Sequence, residues 1–385
     1  MSDRPVEVVT TASQLEEMIS ALEGVERLGV DTESNSFFAY REKVCLLQLS
    51  DLERDWVVDP LQVDPRPLAP IFADPEREII LHAAEHDVGG LWRDFGFEIG
   101  RLFDTQAAGM VMGLGQQSLQ RMVEEKLGVH LPKEQQRSDW GRRPLSDSQL
   151  AYAVNDTRYL IPLREQLVAQ LYDEGRWAPA LAVFRRLRES RPLEREVDLE
   201  AYFNIRGYDR LEPPGRAVIA RLFALREARA EALNRPPFRI LGNDGLLSIA
   251  QQLPRDPAGL KRLRGVSPRL PDRFVAQLLK AVEDGVKDPS PPPARRAKKR
   301  KSPSPDELEL ERRFERLRRW RNKVAEREGL VSRTIASNRV LKAIAKAQPS
   351  TQQALVEVEG VDAFLTGRYG ADILSMLSAD EGSGE

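Results

Sequence analysis

The chain contains one cysteine, Cys45, and no long apolar run. A single cysteine excludes an internal disulfide, and its position in an apolar stretch predicts a buried strand residue rather than a nucleophile. The apolar runs are too short to span a membrane. The first five residues lack the apolar stretch of a leader peptide, so we expect a cytoplasmic protein with no membrane partner.

An excess of charge of one sign is missing as well. Lysine and arginine together number 58, whereas aspartate and glutamate number 60. With this balance, nucleic acid must be bound through local basic patches, because the overall field is not positive. The length of 385 residues predicts two or three domains, and hydrophobic residues make up 41% of the chain, which is enough to fill their cores.

Histidine is also scarce, with three in the whole chain. His82 and His86 have a spacing that would allow both to bind one zinc ion from a helix. A third nitrogen or sulfur ligand is not evident, because His130 lies far away in the sequence. The sequence therefore favours packing or hydrogen bonding for His82 over metal ligation.

Acidic side chains, in contrast, occur in an informative order. Asp31 and Glu33 follow a short apolar strand, and strand alternation places both carboxylates on one face. Asp87 is expected near the start of a helix that follows another strand. Tyr152 and Asp156 share one face of a predicted helix because they are four residues apart. Each motif alone is common by chance, so the interpretation depends on their combination.

Together these residues supply four carboxylates and a phenol. Magnesium and manganese ions prefer oxygen ligands, and two such ions about 3.5–4 Å apart catalyse phosphodiester hydrolysis. A free phenol has a pKa of about 10, so Tyr152 is better suited to hydrogen bonding than to acting as a base. We therefore predict two bound divalent ions, Mg²⁺ or Mn²⁺, and protonation of some of the clustered acids without metal.

The pattern around the motifs predicts an α/β domain. Strands are expected at residues 28–30, 44–49, 56–58 and 79–81. The second and third should form a hairpin, because turn-rich residues separate them. Helices are expected near residues 86–95, 105–112, 118–127 and 146–172. Ser13 and Glu16 predict a capping box for an earlier helix that ends near Gly24, and Asp104 and Ser118 are predicted N-caps.

The C-terminal part of the sequence is helical in pattern and repeats. A shift of 95 residues places Arg321 on Arg226 and Asn338 on Asn243, and many apolar positions coincide without a gap. Unbroken register over so many positions predicts two copies of one small helical module. Residues 288–306 between the copies are rich in proline and basic residues, which predicts an extended linker.

The motifs resemble those of the DEDDy 3′→5′ exonuclease superfamily, and of ribonuclease D in particular. The similarity covers about residues 5–175. It is carried by the stretches at residues 30–33, 46–49, 81–87, 103–105, 118–128, 138–140, 143–145 and 152–156. The repeated helical part resembles the HRDC domains that follow the exonuclease in ribonuclease D.

The resemblance implies an RNase H-like α/β catalytic domain, with a mixed sheet flanked by helices, followed by two all-α HRDC-like domains. The implied divisions are an exonuclease domain at 1–175, a helical connector at 176–210, HRDC-like domains at 211–287 and 307–380, the linker at 288–306 and a disordered tail at 381–385. The implied catalytic residues are Asp31, Glu33, Asp87, Tyr152 and Asp156. The four acids would hold the metals, and Tyr152 would orient the attacking water.

The implied activity is that of a hydrolase which trims RNA from the 3′ end and releases nucleoside 5′-monophosphates. The implied substrates are tRNA precursors and other structured RNA 3′ ends, and the implied state is a monomer. Two alternatives stay open. The same catalytic set serves DNA exonucleases, since only contacts to the 2′-hydroxyl separate RNA from DNA. The other alternative is a non-catalytic scaffold that binds nucleic acid through its HRDC modules.

Seven further residues are candidate substrate contacts: Phe37, Gln48, His82, Lys133, Arg137, Trp140 and Arg143. Phe37 is either a hairpin or core aromatic or a platform on which terminal bases stack. Gln48 either reaches the terminal nucleotide or faces a neighbouring strand. The basic residues around Trp140 suit capture of the RNA backbone, although a solvated loop has the same composition. The basic run at 295–301 is interpreted as a solubilising linker or a tether for RNA phosphates.

Overall fold

The computed structural model describes residues 4–132, 135–191, 200–289 and 304–378. Within these residues six strands form one mixed sheet. They are β1 (Val6–Val9), β2 (Arg27–Ser34), β3 (Val44–Ser50), β4 (Asp55–Val58), β5 (Glu78–Leu81) and β6 (Arg101–Asp104). Their order across the sheet is β1-β4-β3-β2-β5-β6. The strand β3 is antiparallel to β2 and β4, whereas the remaining neighbours are parallel.

The sheet is covered on both faces, which explains the apolar run in β3. All seven residues of this strand are buried. Leu47 and Leu49 belong to the core on one face, and Leu46 packs on the other face with Ala153. Full burial of a leucine contributes about 1.5–3 kcal/mol, so this strand is a major source of stability. The strands β1 and β6 were not predicted, because each is exposed in part and has a shorter apolar run, whereas the equally short β4 and β5 are buried throughout.

The predicted hairpin between β3 and β4 is confirmed. The two strands pair antiparallel, with Ser50 opposite Asp55. The connecting turn is closed by the Asp51 carboxylate, whose Oδ1 accepts the backbone N–H groups of Glu53 and Arg54 at 2.6 Å each. Aspartate favours such turns because its short side chain can bond to the backbone two residues on.

Eight helices lie in the described part of the chain before residue 192. They are α1 (Ala12–Ala21), α2 (Ala69–Ala73), α3 (Glu85–Phe95), α4 (Thr105–Val111), α5 (Leu119–Leu127), α6 (Asp147–Arg158), α7 (Leu160–Asp173) and α8 (Trp177–Arg188). The prediction of one helix over 146–172 is wrong, since α6 and α7 meet at Tyr159. The predicted N-caps Asp104 and Ser118 are confirmed, because each side chain accepts a backbone N–H of its helix.

The predicted capping box of α1 is also wrong by two residues. Thr11 accepts from the backbone of Gln14, and the Gln14 side chain accepts from the backbone of Thr11. The reason is conformational: Thr11 has the extended backbone that an N-cap requires, whereas Ser13 already lies inside the helix.

The two helical modules have the same order of elements. The first contains α9 (Pro213–Ala232), α10 (Pro237–Ile240), α11 (Asn243–Gln252), α12 (Pro257–Lys261) and α13 (Asp272–Lys287). The second contains α14 (Pro305–Glu328), α15 (Ser332–Ile335), α16 (Asn338–Ala347), α17 (Gln352–Val356) and α18 (Ala363–Ser378). None of the helices in the described ranges is long and apolar enough to cross a membrane.

Both copies of the sequence repeat contain the same buried contact. Arg226 Nη1 donates to Asn243 Oδ1 at 2.8 Å, and Arg321 Nη1 donates to Asn338 Oδ1 at 2.9 Å. In both modules the same Nη1 also donates to a backbone carbonyl two residues before the asparagine. Each arginine therefore ties the long first helix of its module to the start of the third.

The described residues divide into two compact units. The first, which we call the sheet unit, contains the described parts of 1–34, 44–192 and 303–385, and thus includes the second module. Within it, Arg186 of α8 donates to the Thr334 carbonyl at 2.5 Å and pairs with Asp362 at 3.2 Å. The other unit contains the described parts of 35–43 and 193–302.

Candidate active site

The strand β2 presents the first two acids. Asp31 lies opposite Gln48 of β3, and Glu33 lies opposite Leu46, so alternation directs both carboxylates to the face that carries Leu46. The helix α6 packs on that same face, with Ala153 in contact with the strand core. The sequence prediction of a shared face for Asp31 and Glu33 therefore agrees with the register of the sheet.

The helix α6 brings Tyr152 and Asp156 to the two strand acids. Its start is fixed by a capping box between Ser146 and Gln149. Tyr152 and Asp156 lie one helical turn apart, and the phenol is close enough to influence the pKa of the Asp156 carboxyl group. The ring of Trp140 lies 6.1 Å from the Tyr152 ring, centroid to centroid, and holds it in place. Tyr152 and Asp156 are 6% and 9% exposed, whereas Asp31 and Glu33 are half-buried, so protein encloses the site only in part.

Asp87 enters from the first turn of α3, as predicted. Thr32 donates its hydroxyl to Asp87 Oδ1 at 2.5 Å. This threonine stands between Asp31 and Glu33, and alternation turns it to the opposite face, the one on which Val88 of α3 packs. Sequence reasoning missed Thr32, and the only available signal was its place between two candidate ligands.

The acids form a site that suits a divalent cation. One oxygen each from Asp31, Glu33 and Asp156 lie within 4.8 Å of one another. Asp87 is close enough to raise the pKa of Asp31 and Glu33 electrostatically. A set of carboxylate oxygens without nitrogen or sulfur fits Mg²⁺ or Mn²⁺ better than zinc.

Burial raises the pKa values of all four acids, and repulsion within the cluster adds to this at Asp31, Glu33 and Asp156. Burial first, and then Asp87 and Asp156, raise the pKa of Asp31 well above its ordinary value. The same causes raise the pKa of Glu33 to about 9. Burial raises the pKa of Asp87 to about 6, although the Thr32 hydroxyl opposes the change. These raised pKa values agree with the expectation that some of the clustered acids are protonated when no metal is bound.

Tyr152 affects the pKa of Asp156, the fourth acid. Burial raises the pKa of Asp156 to about 7, and the hydrogen bond from Tyr152 acts in the opposite direction. Burial and the neighbouring Asp156 also raise the pKa of Tyr152. The phenol therefore remains protonated at neutral pH, which suits a hydrogen-bond donor rather than a resting base.

Three of the predicted substrate contacts are internal instead. Trp140 is 1% exposed, so it supports Tyr152 and has no surface for RNA. Arg143 forms two bonds to Asp59, at 2.6 and 2.7 Å, which occupy its fork. Gln48 is fully buried. The burial of Trp140 and the bonds of Arg143 to Asp59 do not support RNA contact by these two residues, and contact by Gln48 stays a prediction.

His82 is held behind the site. Its Nε2 donates to the Gln117 carbonyl at 3.1 Å, and its Nδ1 lies 2.9 Å from the Thr105 hydroxyl. Burial lowers the pKa of His82 to about 4, so the ring is neutral at physiological pH. With both nitrogens engaged, the contact of His82 with substrate is not supported, and the hydrogen-bonding interpretation is. The acid cluster contains no histidine.

The other residues singled out in the sequence differ in their exposure. Phe37 is 52% exposed, so the core interpretation is wrong and base stacking stays a prediction. Arg137 is exposed in its loop, and its role also stays a prediction. Lys133 lies outside the described residues. Cys45 is fully buried in β3, as predicted, and burial raises the pKa of its thiol to about 11.

Comparisons with known proteins define the family. The family model described as 3′-5′ exonuclease matches residues 6–172, and the HRDC domain model matches residues 215–282 and 311–377. The ribonuclease D of Bartonella henselae is 30% identical over 291 residues, which are 74% of this chain and 70% of that protein. The chain belongs to the ribonuclease D family. The family prediction made from the motifs is therefore confirmed.

Two more comparisons show how far this kinship extends. RRP6-like 1 of Arabidopsis thaliana is 30% identical over 277 residues, 68% of this chain, and the chain spans 43% of that relative's length. The crystal structure of Escherichia coli ribonuclease D superposes with a TM-score of 0.64 at 24% identity, and the match covers 97% of this chain and 99% of that one. This likeness confirms the predicted fold, a mixed sheet flanked by helices and followed by helical domains.

Proposed function

We propose that this chain is a metal-dependent 3′→5′ exoribonuclease that releases nucleoside 5′-monophosphates. The observation that carries the proposal is the meeting of Asp31, Glu33 and Asp156 within 4.8 Å, inside a domain that matches a 3′-5′ exonuclease model. Burying like charges so close together is costly unless a cation binds there. The cluster is therefore best explained as a cation site beside a phosphate.

The residues have distinct parts in the proposed reaction. Asp31, Glu33, Asp87 and Asp156 would hold two divalent ions. Such ions supply Lewis-acid stabilisation of the phosphate and lower the pKa of a water. Thr32 occupies one oxygen of Asp87 and leaves the other available. The protonated Tyr152 would orient the attacking water, and its packing against Trp140 limits where the hydroxyl can point.

The proposal favours RNA over DNA as the polymer. The Bartonella henselae relative is named ribonuclease D, and the Escherichia coli enzyme is described as an exoribonuclease involved in structured RNA processing. These descriptions support structured RNA as the class of substrate. The proposed substrates are tRNA precursors and other structured RNA 3′ ends, and the proposed state is a monomer in the cytoplasm. The two descriptions do not favour the DNA exonuclease or the non-catalytic scaffold.

The proposed domain division is the one expected from the sequence. An exonuclease domain at 1–175 and HRDC-like domains at 211–287 and 307–380 are supported by the ranges of the matching family models. The connector at 176–210, the linker at 288–306 and the tail at 381–385 complete the proposal. Most of the linker and the tail lie outside the described residues.

The test uses matched single-stranded RNA and DNA substrates, each labelled at the 5′ end. We expect stepwise shortening of RNA from the 3′ end with Mg²⁺ or Mn²⁺, and none with a chelator. Nucleoside 5′-monophosphates should be the only early product. Faster loss of DNA, internal cleavage, or activity in the chelated sample would each contradict the proposal.

A further inference from the structure

The turn between β5 and α3 has an unusual backbone. Ala83 has a φ of +61°, in the left-handed region that residues with a Cβ rarely adopt. The next residue, Ala84, is the N-cap of α3 and has no side chain able to cap the helix. Something outside this segment must therefore hold the start of α3, and with it Asp87 three residues later.

Asp104 supplies that support from the end of β6. Its Oδ2 accepts the Ala84 N–H at 2.6 Å, and its Oδ1 accepts the Ala83 N–H at 3.3 Å. The same Oδ1 also accepts the Ala107 N–H at 2.8 Å, which caps α4. The side chain is 1% exposed. Because β5 and β6 pair with Leu81 opposite Asp104, the carboxylate lies directly beside the turn.

The arrangement gives Asp104 more than a capping role. A cap requires one oxygen, whereas Asp104 uses its second oxygen on the turn that leads into α3. Three backbone donors occupy its carboxylate, so it is not a ligand for a cation. Asp87 is then fixed from two sides, by the turn at its helix start and by the Thr32 hydroxyl.

We infer that Asp104 is a positioning residue, which holds the left-handed turn at Ala83 and thereby places Asp87 in the acid cluster. The inference rests on the proposed function, because the place of Asp87 matters for catalysis only if the cluster binds cations. Outer partners of metal ligands typically change metal affinity by about 10–100-fold when they are removed.

The main variant is Asp104→Ser. Serine is a good N-cap, so α4 keeps its cap, but one hydroxyl cannot also serve the turn. Thr11→Ala is the matched control, since it removes a helix cap from α1 without touching the acid cluster. Asp104→Asn is the second variant, which keeps the size of the side chain and one acceptor oxygen in case the serine variant does not fold.

The primary readout is Mn²⁺ binding to chelator-treated protein, followed by the electron paramagnetic resonance signal of free Mn²⁺. We expect Asp104→Ser to weaken Mn²⁺ binding about 10–100-fold, with a lower kcat and an unchanged KM for RNA. Thr11→Ala should lower Tm by a few degrees and leave Mn²⁺ binding at the unmodified level.

A rescue experiment separates positioning from general stability. Ala83→Gly in the Asp104→Ser background allows the left-handed turn to form without the hydrogen bonds to Asp104, because glycine adopts positive φ at no steric cost. We expect this double variant to recover part of the lost Mn²⁺ affinity. A purely structural role for Asp104 predicts no recovery, and that result would overturn the inference.

The outcomes for the two claims are distinct. If the unmodified chain neither binds Mn²⁺ nor releases nucleotides, the proposed function fails. If it does both, and the Asp104 variants bind Mn²⁺ as it does, the proposed function stands and the positioning inference is wrong.

Discussion

The acid cluster and the two helical modules both bury charged side chains, but they surround them with opposite kinds of partner. In the cluster, Asp31, Glu33 and Asp156 bring oxygens of the same sign within 4.8 Å of one another. In the modules, Arg226 and Arg321 each donate to an asparagine and to a backbone carbonyl. A buried charge whose bonds are satisfied stabilises a fold, whereas a repulsive group of buried charges marks a place for a ligand.

The two modules also differ in the residue that lies next to the buried arginine and pairs with it. Arg226 pairs with Glu227, with Nη2 and Oε1 2.9 Å apart. The matching neighbour of Arg321 is Asn322, an uncharged residue. Burial lowers the pKa of Arg321, and its Nε has no hydrogen-bond partner within the described structure. The second copy thus keeps the position of the arginine but not its counter-charge.

The largest effect is expected for Asp31→Asn, which removes one charge from the cluster. Nuclease activity should fall on the order of 10³-fold, since cation binding at a phosphate is worth several kcal/mol and about 1.4 kcal/mol is tenfold. RNA binding and folding should persist, because the substitution relieves repulsion. Nucleotide release and RNA binding are measured separately, with the exposed Glu7→Gln as control. Continued release would show that the cluster is not the active site.

Next in size are the losses expected from Arg226→Met and Arg321→Met. The first leaves Glu227 buried without its counter-charge and should cost about 3–5 kcal/mol. The second leaves an asparagine and a carbonyl unpaired but no charge, and should cost about 1–3 kcal/mol. Guanidinium unfolding measures both, with the exposed Arg235→Met as the control. Equal losses would mean that the counter-charge has no energetic role.

A smaller effect is expected for Tyr152→Phe, which removes the phenolic hydroxyl beside Asp156. Turnover should fall about 10–100-fold, because the attacking water is less well oriented. Mn²⁺ affinity should change little, since the four carboxylates remain. The exposed Tyr172→Phe is the control. A parallel loss of turnover and Mn²⁺ binding would assign Tyr152 a structural role instead.

The smallest effect concerns pH. The pKa values of Asp87, Asp156 and Glu33 rise to about 6, 7 and 9 in the fold. A carboxylate whose pKa is raised by folding stabilises the fold at pH values below its unfolded pKa. This contribution is lost as the pH rises through the pKa of the folded state. The Tm of chelator-treated protein should therefore decline by a few degrees between pH 5 and 9, relative to a sample with Mn²⁺. Identical curves with and without Mn²⁺ would contradict this account.

The grouping of the clustered acids was predictable because short-range periodicity sets their geometry. Asp31 and Glu33 depend on the alternation of one strand, and Tyr152 and Asp156 on one helical turn. The module repeat was predictable for a related reason, since Arg226 and Asn243 recur at a fixed spacing. Each of these patterns is complete within a segment of the sequence.

The sequence was least informative where a residue depends on a partner far away in the chain. Arg143 suggested RNA capture from its polar loop, but Asp59, 84 positions away, takes its guanidinium. Thr32 gives no hint that it will bond to Asp87, 55 positions away. Such pairs follow from the order of strands in the sheet, which local patterns do not encode.

The contacts of α8 with the second module bear on where this protein can be shortened. Arg186 binds the Thr334 carbonyl and Asp362, and Arg176 donates to the Gly329 carbonyl at 2.8 Å. A truncation before residue 304 would strip both guanidinium groups of these acceptors. It would also remove Leu330 and Val331, and so expose the apolar residues of α4, α5, α7 and α8 against which they pack. The second module belongs to the same compact unit as the sheet, so its removal should destabilise that unit.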